Sequence, residues 1–129
     1  MNAINVQTKE RTHFIDITDA VQQFAHEKQI EAGLITVFVP HTTAGITINE
    51  NADPDVTADL ETVFDDLIPW NNGYAHREGN TAAHVKASLM GSSVQVIVEN
   101  GRLCLGTWQS LYFCEFDGPR TRQIYLKES

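Results

Sequence analysis

Leu34-Ile35-Thr36-Val37-Phe38-Val39-Pro40-His41-Thr42-Thr43-Ala44-Gly45-Ile46-Thr47-Ile48-Asn49-Glu50-Asn51-Ala52-Asp53-Pro54-Asp55 is the stretch on which the reading of the fold turns. Its first six residues form an unbroken β-branched and aromatic run, which predicts a buried strand. Pro40 has no N–H to give a sheet ladder, so the strand stops there and His41 stands at the exit of a central strand. Residues 45–49 alternate again and predict a second, short strand. Asp53-Pro54 then opens a helix, because Asp is a preferred N-cap and Pro suits the first helical position. From His41 to Asp55 lie an imidazole, three hydroxyls, two carboxamides and three carboxylates, almost without a break. Such density suits a metal or phosphate site, provided the fold brings its two ends together.

Downstream of Pro54, Val56, Leu60, Val63, Phe64 and Leu67 make one apolar helical face. Asp59, Glu61, Asp65 and Asp66 fall mainly on the solvated side. Residues 69–74, PWNNGY, read as a loop. Thr81 to Met90 predicts a second helix that Asn80 can cap and Gly91 closes. Strands follow at 94–98, 103–105, 111–116 and 121–126, with Asn100-Gly101 as a tight hairpin turn and Gly106-Thr107-Trp108-Gln109 as a second connection. Upstream, residues 2–16 alternate around Lys9-Glu10-Arg11 and read as a hairpin. Thr18 is placed to cap a helix bearing Val21, Phe24 and Ala25. The expected fold is α+β, a mainly antiparallel β-sandwich with about three inserted helices, in one domain spanning residues 1–129.

The chain has 129 residues, 42% hydrophobic and 20% charged, with a net charge of −8. Nine basic residues against seventeen acidic ones argue against nucleic acid and anionic membrane surfaces, which need clustered Lys and Arg. A local anion pocket is still possible near Arg77, Arg102, Arg120 and Arg122. No apolar run approaches the ~18–20 residues of a membrane span, and the N-terminus lacks an apolar signal-type core, so a cytoplasmic location is expected. If Gly106–Gln109 turns a hairpin, Cys104 and Cys114 are too far apart to bridge, and both are expected as buried free thiols.

Two constellations carry the candidate chemistry. His41, His76 and His84 border polar loops, and imidazole is a common ligand for zinc and similar metals. Spacing alone leaves open whether they share a metal or only satisfy nearby backbone groups. His13 and His26 read as incidental. The second constellation is Glu115 with Asp117, Arg120 and Arg122. Glu115 shares a strand face with Leu111 and Phe113, so its carboxylate needs a partner. The arginines point to one side of the last strand and suit a phosphate, or one of them pairs with Glu115 structurally. There is no nucleophile elbow and no phosphate-cradling glycine loop, so no organic cofactor is expected.

Four blocks in order resemble the YjbQ-like family. They are His41-Thr-Thr-Ala with Ile48-Asn-Glu-Asn51, Asp53-Pro54 and Val56; His76 with Glu78-Gly-Asn80; Ala83-His84-Val-Lys-Ala-Ser-Leu-Met-Gly-Ser92; and Gly101 through Leu105-Gly-Thr-Trp-Gln109 to Glu115-Phe-Asp-Gly-Pro-Arg120 and Arg122. One departure is Ile97, where many relatives have Pro. The resemblance implies a homotrimer and a divalent metal, Zn or Mg, at His41, His76 and His84.

Some family members are described as thiamine-phosphate synthases. For this chain that implies an enzyme acting on a small phosphorylated metabolite, with Glu50, Asn51, Asp53 and Glu115 in catalytic roles. Thr42, Thr43, Lys86, Trp108, Gln109, Arg120 and Arg122 would then bind substrate. In that reaction an aminopyrimidine diphosphate and a thiazole phosphate are joined with release of pyrophosphate. The alternatives are a non-catalytic binder of a small anionic metabolite with a structural metal, and a metal hydrolase acting on another substrate. Trp70 and Trp108 lie in loops and need cover, which a partner subunit can supply.

Overall fold

A computed structural model describes residues 1–129. The elements run β1 (Asn2–Gln7), β2 (His13–Asp16), α1 (Thr18–Glu27), β3 (Ala32–Phe38), β4 (Ala44–Glu50), α2 (Pro54–Leu67), α3 (Thr81–Met90), β5 (Ser93–Glu99), β6 (Arg102–Leu103), β7 (Gln109–Glu115) and β8 (Thr121–Glu128). They form two antiparallel sheets, one of five strands in the order β1-β8-β3-β5-β6 and one of three in the order β2-β7-β4. The expected α+β sandwich with three helices is the fold observed.

The main core lies between the sheets. Ile35 and Val37 of β3, Val96 and Val98 of β5, and Ile124 and Leu126 of β8 meet Ile46 of β4 with Leu111 and Phe113 of β7. Helix α1 closes one margin through Val21, Phe24 and Ala25. The Gln22 side chain donates to the Gly101 carbonyl and accepts from the Leu103 N–H, which pins that helix to the β5–β6 turn. On the far face of the small sheet, α2 and α3 build a second cluster, where Phe64, Ala83, Ala87 and Trp70 cover Phe14, Tyr112, Cys114 and Phe116. The molecule therefore has three layers: large sheet, small sheet, helices.

This layering reverses one expectation. The run Leu34–Val39 alternates between buried and half-exposed positions, and Phe38 is 41% exposed and stacked on Tyr125. β3 is central by pairing, yet the outer face of its sheet has no covering layer. The strand buried on both faces is β7, where every residue from Ser110 to Glu115 is buried.

Other expectations need correcting. Residues 2–16 are not a hairpin: β1 pairs with β8 and β2 with β7, in different sheets. Alternation marks a strand but not its partner. Gly106–Gln109 is a turn, closed by Gln109 N–H to the Gly106 carbonyl at 3.0 Å, but it carries the chain from one sheet to the other. Cys104 is consequently exposed, while Cys114 is buried as expected and both thiols are free. Thr18 is the first helical residue and not the cap; Asp16 Oδ1 accepts its N–H, and its hydroxyl accepts from Leu111. Asp53 does cap α2, with Pro54 at the first position, and Asn100 and Gly101 turn the β5–β6 hairpin at positive φ.

Candidate functional site

Both sheets end on one cleft. Pro40, His41, Thr42 and Thr43 between β3 and β4, His76, Glu78 and Asn80 before α3, His84 in its first turns, and Asp117 and Arg120 after β7 with Arg122 at the start of β8 line a space of about 480 Å³. None of its lining residues is hydrophobic. The three histidines and both candidate arginines therefore come from four segments to one place.

At the base of the cleft, Glu115 and Arg122 make a buried pair that joins the sheets, since β7 lies in one and β8 in the other. Arg122 donates through Nε to Glu115 Oε1 at 2.8 Å and through Nη2 to Oε2 at 2.5 Å and to Thr43 Oγ1 at 2.8 Å. The same carboxylate accepts from the Thr8 hydroxyl at 2.8 Å and the Asp117 N–H at 3.0 Å. Burial alone would push the Glu115 carboxyl upward. The bonds from Arg122, Asp117 and Thr8 and the arginine charge outweigh it and hold the group below its ordinary value, so it is ionised at neutral pH. Arg122 Nη1 makes no bond within the chain. Arg120 is half exposed and holds Asp117 through Nε and Nη2. Each arginine thus keeps one nitrogen of its fork uncommitted.

His41 accepts the Gln123 N–H at Nε2, at 2.9 Å. Burial, then the Arg122 charge, lowers its pKa. The ring is therefore neutral at pH 7, with its proton on Nδ1 as a donor. His76 and His84 lie with ring centroids 5.5 Å apart, edge to face. The donor set for a metal is incomplete in the chain. His41 Nε2 is committed to a backbone amide, its Nδ1 carries a proton, and no three His, Cys, Asp or Glu side chains are grouped to hold an ion. With His41 so committed, the cleft as placed offers an ion the imidazoles of His76 and His84.

Asn80 completes the cleft. It is 7% exposed, and its Nδ2 donates to Glu78 Oε2 and Asp117 Oδ2. Its Oδ1 is the one buried side-chain polar atom in the chain without a partner. An orphaned buried acceptor costs about 1–3 kcal/mol. Asn80 occupies the N-cap position of α3 but makes no side-chain capping bond.

The remaining candidates lie elsewhere. Glu50 ends β4 and Asn51 and Asp53 follow it, roughly 20 Å from the start of the strand at ~3.3 Å per residue. Asn51 Oδ1 accepts from the Tyr112 hydroxyl and Asn51 Nδ2 donates to Asp16 Oδ2, while Asp53 Oδ1 accepts from Asp55 N. Trp108 and Gln109 are at that same end: the Trp108 carbonyl accepts from Asn51 N, and Gln109 folds back on Gly106. The two ends of residues 41–55 are thus held apart by the strand between them. Lys86 is buried in the helical layer and pairs with Asp65 at 2.5 Å, beside a separate hollow lined by Trp70. Trp70 is covered within its own chain by Arg11, 4.1 Å over its ring, whereas Trp108 is 63% exposed. Thr8 and Glu78 carry no role by sequence, and Asn80 is expected only as a helix cap. Glu78 and Asn80 at least follow His76, but nothing after the N-terminal strand marks Thr8.

A family profile described as UPF0047 protein YjbQ-like matches residues 2–128. The chain belongs to the YjbQ-like UPF0047 family. It is 56% identical over 128 residues to the UPF0047 protein YugU of Bacillus subtilis, covering 98% of this chain and 97% of that one. It is 47% identical over 122 residues to the UPF0047 protein MJ1081 of Methanocaldococcus jannaschii, covering 95% and 88%. Among solved structures, a yjbq/upf0047 family protein of Clostridium acetobutylicum superposes with a TM-score of 0.98 at 53% identity, covering all of both chains. The TT1486 protein of Thermus thermophilus superposes with a TM-score of 0.94 at 38% identity, also over both whole chains. These likenesses carry family and fold. No helix of this YjbQ-like chain is long and apolar enough to cross a membrane.

Proposed function

We propose that the cleft binds a small phosphorylated metabolite and that the chain is an enzyme acting on it. The observation that carries this reading is the gathering of Arg120, Arg122 and three imidazoles in one cleft without apolar lining, in a chain of net charge −8. Two forks with a free nitrogen each suit adjacent phosphate oxygens. The His41 Nδ1 proton adds a neutral donor. Thiamine-phosphate synthesis is the specific reaction we propose: the aminopyrimidine diphosphate loses pyrophosphate, and the thiazole nitrogen attacks the resulting cationic carbon. The arginines would stabilise the leaving pyrophosphate. The divalent metal, Mg or Zn, would enter bound to the diphosphate as part of the substrate. Thr42 and Thr43 fit the same cleft; Glu50, Asn51, Asp53, Lys86, Trp108 and Gln109 do not reach it within one subunit.

The test is product formation from the two purified substrates with metal added. Turnover lost at least tenfold in Arg120→Ala is the expected result, as for removal of one charge-assisted contact of roughly 1.5–3 kcal/mol. No turnover above background sinks the synthase reading. The extensive mutual pairing of Glu115 and Arg122 favours a second reading, a non-catalytic binder. It is recognised by thermal stabilisation with a phosphorylated ligand that is released unchanged.

A homotrimer belongs to the same proposal. Val63, Leu67 and Leu89 on the outer helices are 50%, 71% and 63% exposed, and apolar side chains there gain from cover. Light scattering giving the mass of a single 14.4 kDa chain removes it. The exposed free thiol of Cys104 supports a reducing, cytoplasmic setting.

A further inference from the structure

We propose that Thr8 is a positioning residue: it sets the spacing of the two cleft arginines and so makes the cleft prefer a diphosphate to a single phosphate. The inference rests on the phosphate reading of the same cleft and names the anion for which its arginines are set. Thr8 is buried and does not line the cleft, so it acts only through its partners. Its backbone N–H donates to the Arg120 carbonyl at 2.9 Å, and its hydroxyl oxygen accepts the Arg120 N–H at 2.9 Å. The one hydroxyl proton has two acceptors in reach, Glu115 Oε1 at 2.8 Å and the Arg120 carbonyl at 3.0 Å. The carboxylate is closer and charged, and the carbonyl already has the backbone N–H, so the proton goes to Glu115. Glu115 in turn holds the Arg122 fork. One hydroxyl therefore fixes both the main chain of Arg120 and the counter-ion of Arg122.

The turn that carries Arg120 is fitted to this brace. The Gly118 N–H donates to the Arg11 carbonyl at 3.1 Å, and a Cβ on Gly118 would run into the Glu10 carbonyl and the Thr8 hydroxyl. The two guanidinium groups are held by different carboxylates, Arg120 by Asp117 and Arg122 by Glu115. Each keeps a nitrogen for a ligand. Nη1 of Arg122 has no bond in the chain, and Asn80 Oδ1 is the one sealed side-chain polar atom without a partner, so this nitrogen is open to the cleft. Two donors fixed on separate supports meet two phosphoryl groups at once, whereas a single phosphate that engages one leaves the other idle.

The experiment is calorimetric titration of the full chain at neutral pH with inorganic pyrophosphate and inorganic phosphate, without added metal. The native chain should bind pyrophosphate more tightly, and Thr8→Val should narrow the ratio of the two affinities roughly tenfold, as for loss of one charge-assisted contact. Greater charge favours pyrophosphate at any pair of cations; the part that depends on spacing is the part lost with the hydroxyl. Thr8→Ser keeps the hydroxyl and should hold the native ratio, although it gives up the packing of the methyl group. Arg120→Gln, at a half-exposed side chain, folds whether or not the valine chain does, and it should narrow the ratio at least as far. Equal affinity for the two anions in the native chain overturns the inference. So does a native ratio in Thr8→Val or Arg120→Gln, or a serine chain that behaves like the valine chain; all of these leave the phosphate reading intact. No binding of either anion by the native chain ends both readings together.

Discussion

Arg122 and Lys86 are equally buried cations, each with a side chain 4% exposed, and they are held in opposite ways. Arg122 faces a carboxylate that is itself fully buried, and three further groups complete the network: Thr8, Thr43 and the Asp117 N–H. Lys86 has one partner, Asp65, whose side chain is 54% exposed. A planar fork with fixed donors can be satisfied on several sides at once, and a compact ammonium on a flexible stem needs water nearby. The first pair joins two sheets and the second joins two helices within one layer. The contrast separates a fixed polar anchor at the cleft from an adjustable one away from it.

Removing the carboxylate of the fixed pair should have the largest effect. Glu115→Ala leaves Arg122 buried and uncompensated and should cost about 3–5 kcal/mol in urea unfolding. A loss below about 1 kcal/mol would mean that water enters the pair and that the contrast with Lys86 is false. Thr8→Val keeps the ion pair and removes one hydroxyl donor to it; about 1.5–3 kcal/mol is expected for a bond to a charged group. Asp65→Asn tests the other side and should cost less than Glu115→Ala, about 1–3 kcal/mol, because the amide that replaces the carboxylate still offers the buried Lys86 ammonium an acceptor oxygen.

The smallest effect is in acid, and it comes in two windows. His41 has a pKa below 6.5 in the folded chain. The unfolded chain therefore takes up its proton first, and the stability this group contributes is complete above pH 6.5 and is lost as pH falls through the lowered value. Glu115 is held below 4.5, so its contribution is complete above that pH and is lost further down. Unfolding midpoints between pH 7.5 and 5.5 should fall in the native chain and fall less in His41→Asn. Identical slopes would show that burial and the Arg122 charge do not hold the ring neutral.

The sequence disclosed elements better than it disclosed their neighbours. Asp53-Pro54, Asn100-Gly101 and the 3.6-residue periodicity of α2 are local signals, and they appear where local physics puts them. Strand pairing is not local: Ile4 and Val6 alternate in the same way whether they pair with residues 13–16 or with Ile124 and Arg122, and only the closed sheet decides. The run 111–116 looked like 34–39 because hydrophobicity records burial without saying how many faces are covered. In the cleft, His41, His76, His84, Arg120 and Arg122 stood out as chemically costly residues beside loops. Thr8 did not, because a threonine just past a strand is ordinary until Glu115 comes to it from 107 residues away. Glu50 to Asp53 misled through closeness in sequence, which a strand converts into distance.

Burial differs sharply between the two thiols, and this gives the chain a built-in labelling clock. Cys104 is open to solvent, whereas Cys114 is sealed between β7 and the helical layer with its ionisation pushed far up. A maleimide or disulfide reagent should modify the first within the mixing time, since the thiolate is the attacking species. The second should react only when the helices lift from the small sheet. The lag between one and two labels per chain, followed by mass spectrometry, then measures how often that layer opens under native conditions.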